Sequence, residues 1–317
     1  MYQGDLNKFI LFFAGTGSKE GKAEIRRLEC NQLLSQLNER REALDWVEYL
    51  RENPTCKSKL FIDSGAYSAY TQGKEIDVDD YVDFINNTGD VVFVYAQVDK
   101  IPQVIGREPT EEEFSAAAQI SWDNYLYMIE KVKPEYRDKI MPVFHFQEDT
   151  KWLTNMLEYT FEDGHHIPYI GLAVSTIDNA EVRFNWLEMC FSIIKKSSNP
   201  DVMTHAFGCT ALNVLEKVPL TSADSTTWVM TASHGTILLD KKPISVSDRT
   251  LHNPNNLVNK SLALRDEVAE KVKKYGFTLE ELSEDYLKRQ IHNIRVLKEW
   301  EDNYQYNGII LDRVKLF

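Results

Sequence analysis

An α/β fold, a (β/α)₈ TIM barrel with a small C-terminal insertion and a closing helix, is the class this sequence predicts. Three observations lead there. First, five segments share one construction, an apolar strand-like run that ends in small or polar residues. They are KLFIDSGAYSAY with Asp63, VVFVYAQVD with Asp99, IMPVFHFQE with Gln147, PYIGLAV with Gly171 and PLTSADSTTW with Asp224. Buried parallel strands read as continuous apolar runs, and residues just past strand C-termini line the active site of a barrel. Second, helical patterns separate most of these runs, as parallel βαβ units require. Third, no GxGxxG nucleotide fingerprint accompanies them, which favours a closed barrel over a doubly wound sheet.

Taken in order, strands are expected at about 8–14, 59–63, 91–96, 140–146, 168–174, 203–207, 220–223 and 235–239. Residues 23–51 carry Leu28, Leu33, Leu34, Leu37, Leu44 and Trp46 at mixed three- and four-residue spacings and read as one crossover helix. Val78, Tyr81, Val82 and Ile85 define another helix over 77–86. Thr110 and Glu113 form a capping-box signature that opens a helix through Ile129, with Pro134 beyond its end. Further helices are expected at 149–160 and 180–196. After residue 240, LLDKKPISVS reads as a hairpin return and HNPNNLVNKS as a turn-rich loop. Thr278 and Glu281 then cap a long helix to about 303, placed to close the barrel as its eighth. The expected organisation is a barrel body over 1–240, an insertion over 241–277 and a closing helix and tail over 278–317.

The 317 residues fit one large domain with a small addition, and 43% apolar content suffices for a core. The net charge of −13 divides unevenly: residues 241–317 hold 14 Lys/Arg against 12 Asp/Glu, which leaves 22 against 37 before them. An acidic body argues against a non-specific nucleic-acid coat but is silent about one local groove. Cys30, Cys56, Cys190 and Cys209 are separated by 26, 134 and 19 positions, so neither a zinc knuckle nor a disulfide framework is encoded. Reduced thiols suit the cytoplasm. The start has an acidic n-region and a short apolar run from Phe9 to Ala14, which reads as neither a signal peptide nor a membrane span.

Each candidate residue has a structural and a functional reading. In FIDSGAYSAY, Asp63 leaves a buried strand where Gly65 and Ala66 permit a tight turn, and Tyr67 can stack on something flat; an Asx-turn explains Asp63 equally well. Asp224 precedes Ser225, Thr226 and Thr227 and also fits a helix N-cap. Asp99 has a loop reading and Gln147 a backbone-binding one, so the weight lies in the joint arrangement at strand ends. His205 reads as a satisfied core histidine rather than a general base, with His145 and His234 treated alike. Adjacent His165 and His166 point apart in any regular element and make a poor metal pair. Lys271, Lys273 and Lys274 read as a solvated helix face beside Glu267 and Glu270, with phosphate contact as the functional alternative.

Together and in order, these segments resemble the tRNA-guanine transglycosylase superfamily: the queuine and archaeosine ribosyltransferases and their phage and bacterial DNA-modifying relatives. DSGAYS resembles the family's Asp-Ser-Gly-Gly-Tyr/Phe-Gln loop, VFHFQE its strand ending in a base-reading glutamine, and YIGLAVS its Gly-Leu-Ala-Val-Gly strand. HAFGCTALNVL resembles the glycine-threonine strand and helix, and LTSADSTTW the strand bearing the nucleophilic aspartate. The resemblance spans roughly 8–240 and implies an irregular (β/α)₈ barrel. Ala66, Ser68 and Ser175 depart from it, and the zinc subdomain's three clustered cysteines and histidine are not found in this chain. The chain is therefore closest in character to the phage-type branch that places 7-deazaguanines in DNA.

The resemblance implies that Asp224 is the nucleophile and Asp63 the general acid/base. Asp99, Gln147, Gly171 and Tyr67 would bind the base, with Asp99 accepting from its N–H groups, Gln147 and the Gly171 N–H donating to O6, and Tyr67 stacking. The implied partners are DNA, or tRNA in the alternative, a 7-deazaguanine base and a second copy of the chain as a homodimer. No cofactor, metal or membrane is called for. A non-catalytic partner subunit of the same fold is a second alternative, and an unrelated barrel glycosidase, disfavoured by the lack of a catalytic Glu pair at the expected strand ends, is a third.

Overall fold

The computed structural model describes residues 8–102, 107, 109–174, 179–209 and 211–308. Nine parallel strands form one sheet: β1 (Ile10–Ala14), β2 (Asn31–Ser35), β3 (Leu60–Asp63), β4 (Val94–Ala96), β5 (Ile140–Met141), β6 (Val143–His145), β7 (Tyr169–Ala173), β8 (Met203–Phe207) and β9 (Ser222–Ser225). Their order is β5-β4-β3-β2-β1-β9-β8-β7-β6. Only Pro142 separates β5 from β6. It cannot donate to a ladder, so β5 pairs with β4 while β6 pairs with β7. Counted as one interrupted strand, the pair makes the sheet an eight-stranded TIM-like barrel, as the apolar runs predict.

Two strand expectations need correction. β2 lies inside the stretch expected to be a single helix over 23–51, which is instead α1 (Lys19–Arg27), β2 and α2 (Gln36–Glu52). The polar residues of β2 hide the strand. Gln32 donates its amide to the carbonyls of Phe13 at 2.6 Å and Gly15 at 2.9 Å, and Asn31 donates to Leu11 O at 3.2 Å. Glu29, with φ 50°, makes the turn between α1 and β2. Residues 236–239 are strand, but β10 (Thr236–Leu239) forms an antiparallel hairpin with β11 (Lys242–Ser245) outside the barrel.

Strand alternation divides the core into two layers. Phe12, Leu33, Phe61, Val94, Met141, Val143 and Tyr169 fill the barrel interior. Their neighbours Phe13, Leu34, Ile62, Tyr95, Phe144, Ile170 and Ala223 face the surrounding helices. Those helices are α3 (Ala66–Gln72), α4 (Val78–Thr88), α5 (Glu111–Lys131), α6 (Thr150–Glu158), α7 (Ala180–Lys196), α8 (Leu212–Leu215) and α9 (Thr227–Ser233). The Thr110–Glu113 capping box opens α5 with both reciprocal hydrogen bonds formed.

Beyond β11 lie α10 (Leu262–Lys273), α11 (Leu279–Glu284) and α12 (Tyr286–Asp302). The long helix expected from Thr278 is two helices. Thr278 caps only α11, and Asp285, extended at φ −110°, ends it and caps α12. β10, α10 and α11 share a small separate core of Ile237, Leu239, Val268, Val272 and Leu282. α12 packs along β1: Gln290 Oε1 accepts from Ser18 N and Oγ beyond the strand's C-terminus, and Glu301 Oε1 accepts from Leu11 N at 2.8 Å near its start. No helix among the described residues is long and apolar enough to cross a membrane.

Candidate active site

The same alternation that buries Phe12, Phe61 and Tyr169 inside the barrel points Asp63, His145 and Asp224 inward at the C-terminal strand ends. Their inward neighbours at that end of the barrel, Ala14, Ser35, Ala96 and Ala173, are small.

Asp63 ends β3 and accepts the Gly65 N–H at 3.0 Å on Oδ2, so the Asx-turn forms. Gly65 has φ 90°, and a Cβ there would sit 2.6 Å from Leu37 Cβ and 2.7 Å from Ser35 Oγ. Turn and close packing both require glycine. Burial, then the nearby Asp99 carboxylate and more weakly Asp224 and Glu39, push Asp63 up to about 7, against the opposing Gly65 hydrogen bond. Asp63 therefore holds a proton for a large part of the time near neutrality.

Asp224 on β9 is 8% exposed. Its Oδ1 accepts the Gly208 N–H at 2.7 Å and lies 3.3 Å from His205 Nε2. His205 Nδ1 is 2.6 Å from Ser222 Oγ, which in turn contacts the Tyr169 hydroxyl. Burial holds His205 below its ordinary range despite Asp224, so the ring is neutral. One donor order satisfies the chain: Tyr169 O–H to Ser222, Ser222 O–H to Nδ1, and Nε2–H to Asp224. Two donors thus fix Oδ1, while Oδ2 has no hydrogen-bond partner among the described residues. Asp224 sits on a strand and caps no helix; the α9 N-cap is Thr226.

Asp99, past β4, lies with Oδ2 2.6 Å from His145 Nε2. Glu148 takes the other side, with Oε1 3.1 Å from His145 Nδ1 and Oε2 accepting the His145 N–H at 3.0 Å. Burial opposes a charge on His145, yet Glu148 and Asp99 together hold it up to about 10. An imidazolium between two carboxylates results. Reading His145 as a core histidine missed this; its signal was His-x-x-Glu at the end of an inward-facing strand.

The other sequence candidates divide. Tyr67, 61% exposed at the start of α3, stands at the rim, its ring 6.4 Å from Tyr70. Gln147 is exposed at the β6–α6 turn with φ 76°, a left-handed backbone that a non-glycine residue adopts at a cost. Gly171 requires correction. Its N–H is spent on Pro142 O at 2.8 Å within the sheet, so it cannot serve a ligand. Glycine stands there because a Cβ would lie 2.7 Å from the Phe207 ring.

The lysine cluster is also corrected as a phosphate site. Lys271 pairs with Asp240 and Glu267 at 2.6 Å each, Lys273 with Glu270 at 2.5 Å, and Lys274 with Glu299. Glu299 is close to Glu301, which bonds the start of β1, so the cluster lies toward the barrel end opposite Asp63 and Asp224. Ser175 lies outside the described residues. Gln97 was missed: it is fully buried, two residues before Asp99, with neither amide atom hydrogen-bonded. Such an orphan is a functional pointer.

Among the described residues no three His, Cys, Asp or Glu side chains are grouped to hold a metal ion. The sequence matches no protein-family model and no curated protein.

Proposed function

We propose that this chain is a guanine transglycosylase, exchanging guanine in DNA for a 7-deazaguanine through a covalent aspartyl-glycosyl intermediate. One observation carries the reading: two carboxylates at strand ends of one barrel have opposite environments. Asp63 is pushed up to about 7, and Asp224 has one oxygen tied by two donors. Carboxylates so differentiated suit an acid/base and a nucleophile at an oxocarbenium-like centre.

In this mechanism Asp224 Oδ2 attacks C1′ of the target nucleotide, and the C1′–N9 bond breaks as Asp63 gives its proton to the departing guanine. The incoming 7-deazaguanine loses its N9 proton to Asp63, and N9 attacks C1′ to release Asp224. Two displacements retain configuration, and both carboxylates return to their starting states. Asp99 Oδ1, left open by the His145 pair, accepts from the base N–H groups. Gln147 donates to O6 and Tyr67 stacks on the base; Gly171 has no part. The target nucleotide leaves its helix to reach the pocket, which costs a few kcal/mol when it is paired.

The motif order resembling the tRNA-guanine transglycosylase superfamily supports the family. The scattered cysteines favour DNA over tRNA as the substrate. The test is release of labelled guanine from DNA and from tRNA, with and without 7-cyano-7-deazaguanine. Release from DNA supports the proposal. Release only from tRNA moves the chain to the tRNA branch, and release from neither favours a non-catalytic subunit.

A further inference from the structure

A cavity of about 770 Å³ opens at the other end of the barrel, within the size range of small-molecule sites. It is bounded by the residues that lead into β3, β4, β5 and β7, among them Ser58, Lys59, Phe93 and Pro168. Lys59 enters the strand that Asp63 ends, so four residues, roughly 13 Å of extended chain, separate the two sites.

Its polar wall is short of anions. Lys59 is half-buried with no carboxylate and no hydrogen-bond acceptor among the described residues; its ammonium sits 4.5 Å from the centre of the Phe93 ring. Lys139, also half-buried, donates to the carbonyls of Gly89 at 2.6 Å and Val92 at 2.7 Å, and its nearby carboxylate, Asp90, is itself held by Arg51. Burial depresses both lysines. The lining carboxylate, Asp138, is engaged by His165 at 2.8 Å. In a chain of net charge −13, where Lys271, Lys273 and Lys274 are matched by carboxylates, a half-buried Lys59 without one suits an anion. The remaining wall, Val92, Phe93, Val94 and Met203, is apolar.

We propose that this cavity binds a small organic anion: a flat apolar body against Phe93 and Met203, carrying one carboxylate, sulfonate or phosphate group held by Lys59. The assignment is independent of the transglycosylase reading.

The test is fluorescence titration of the full chain with 8-anilinonaphthalene-1-sulfonate and with its uncharged analogue N-phenyl-1-naphthylamine, repeated on Lys59→Met and Met203→Trp. Circular dichroism and thermal unfolding establish that each variant is folded. One saturable sulfonate site is expected, with a Kd raised about tenfold or more by Lys59→Met, which removes a charge-assisted contact. Met203→Trp, which narrows the apolar wall against which the flat body would lie, weakens binding, and the uncharged analogue binds the wild type at least about tenfold more weakly. Unsaturable binding, equal affinity for the two dyes, or a Kd unmoved by Lys59→Met overturns the proposal. If Met203→Trp does not fold, the Lys59→Met and analogue comparisons decide alone.

Discussion

His145 Nε2 lies 2.6 Å from Asp99 Oδ2, an ion pair between neighbouring strand ends, that of β6 and the loop after β4. With Glu148 on its other nitrogen, the ring is held protonated up to about 10. A histidine whose folded value is raised stabilises the fold fully below its unfolded value of about 6.5, and that contribution is lost as pH rises through about 10. NMR of the His145 ring should show imidazolium at pH 8, and Asp99→Ala should lower its titration point. A ring that titrates near 6.5 in the wild type contradicts the pair.

Asp63 has the same sign from the opposite cause, since burial there disfavours the charged form. Its folded value of about 7 lies above the ordinary carboxylate range, so the native state binds the extra proton and stability falls as pH rises from about 4 to 7. Asp63→Asn, which mimics the protonated form, should stabilise the chain at pH 8 on the order of 4 kcal/mol and have little effect at pH 4. Urea midpoints at the two pH values measure this. A loss of stability at pH 8 would place a charged, favourably paired Asp63 in the fold. In turnover, the same variant should remove the limb of the rate profile near pH 7.

Gly171→Ala should cost about 1–3 kcal/mol of stability, because its Cβ meets the Phe207 ring in a filled barrel. Any folded fraction should keep its base selectivity. Altered selectivity at unchanged stability would return Gly171 to the ligand.

Replacing Lys271, Lys273 and Lys274 together by alanine should leave polynucleotide affinity within about twofold and its salt dependence unchanged, since these lysines already neutralise carboxylates. A shallower salt slope in filter binding would assign them to the phosphate backbone after all.

The barrel was legible because apolar runs and helix caps carry local signals, as the Thr110–Glu113 box shows. β2 was not, because Asn31 and Gln32 look unsuited to a strand until their amides meet the carbonyls of β1, a tertiary satisfaction that no local pattern announces. The hairpin strand at 236–239 was misassigned to the barrel for the converse reason: its apolar residues do pack, but against α10 and α11. At the site, Asp63, Asp99 and Asp224 stood out as carboxylates at strand ends. What tunes them did not, since His145, Glu148 and the Tyr169–Ser222–His205 chain act through distances across strands. Gly171 failed by one hydrogen bond, because motif order cannot tell whether a backbone N–H is already taken by Pro142.

In the proposed mechanism Asp224 becomes covalently joined to C1′. Incubating the chain with guanine-labelled single- and double-stranded DNA, with and without 7-cyano-7-deazaguanine, and scoring label release and denaturant-resistant adduct tests it directly. Label release and an adduct are expected with wild type, and Asp224→Ala should abolish both, lowering the rate by about 10⁴-fold or more. Base exchange that persists in Asp224→Ala would exclude Asp224 as the nucleophile.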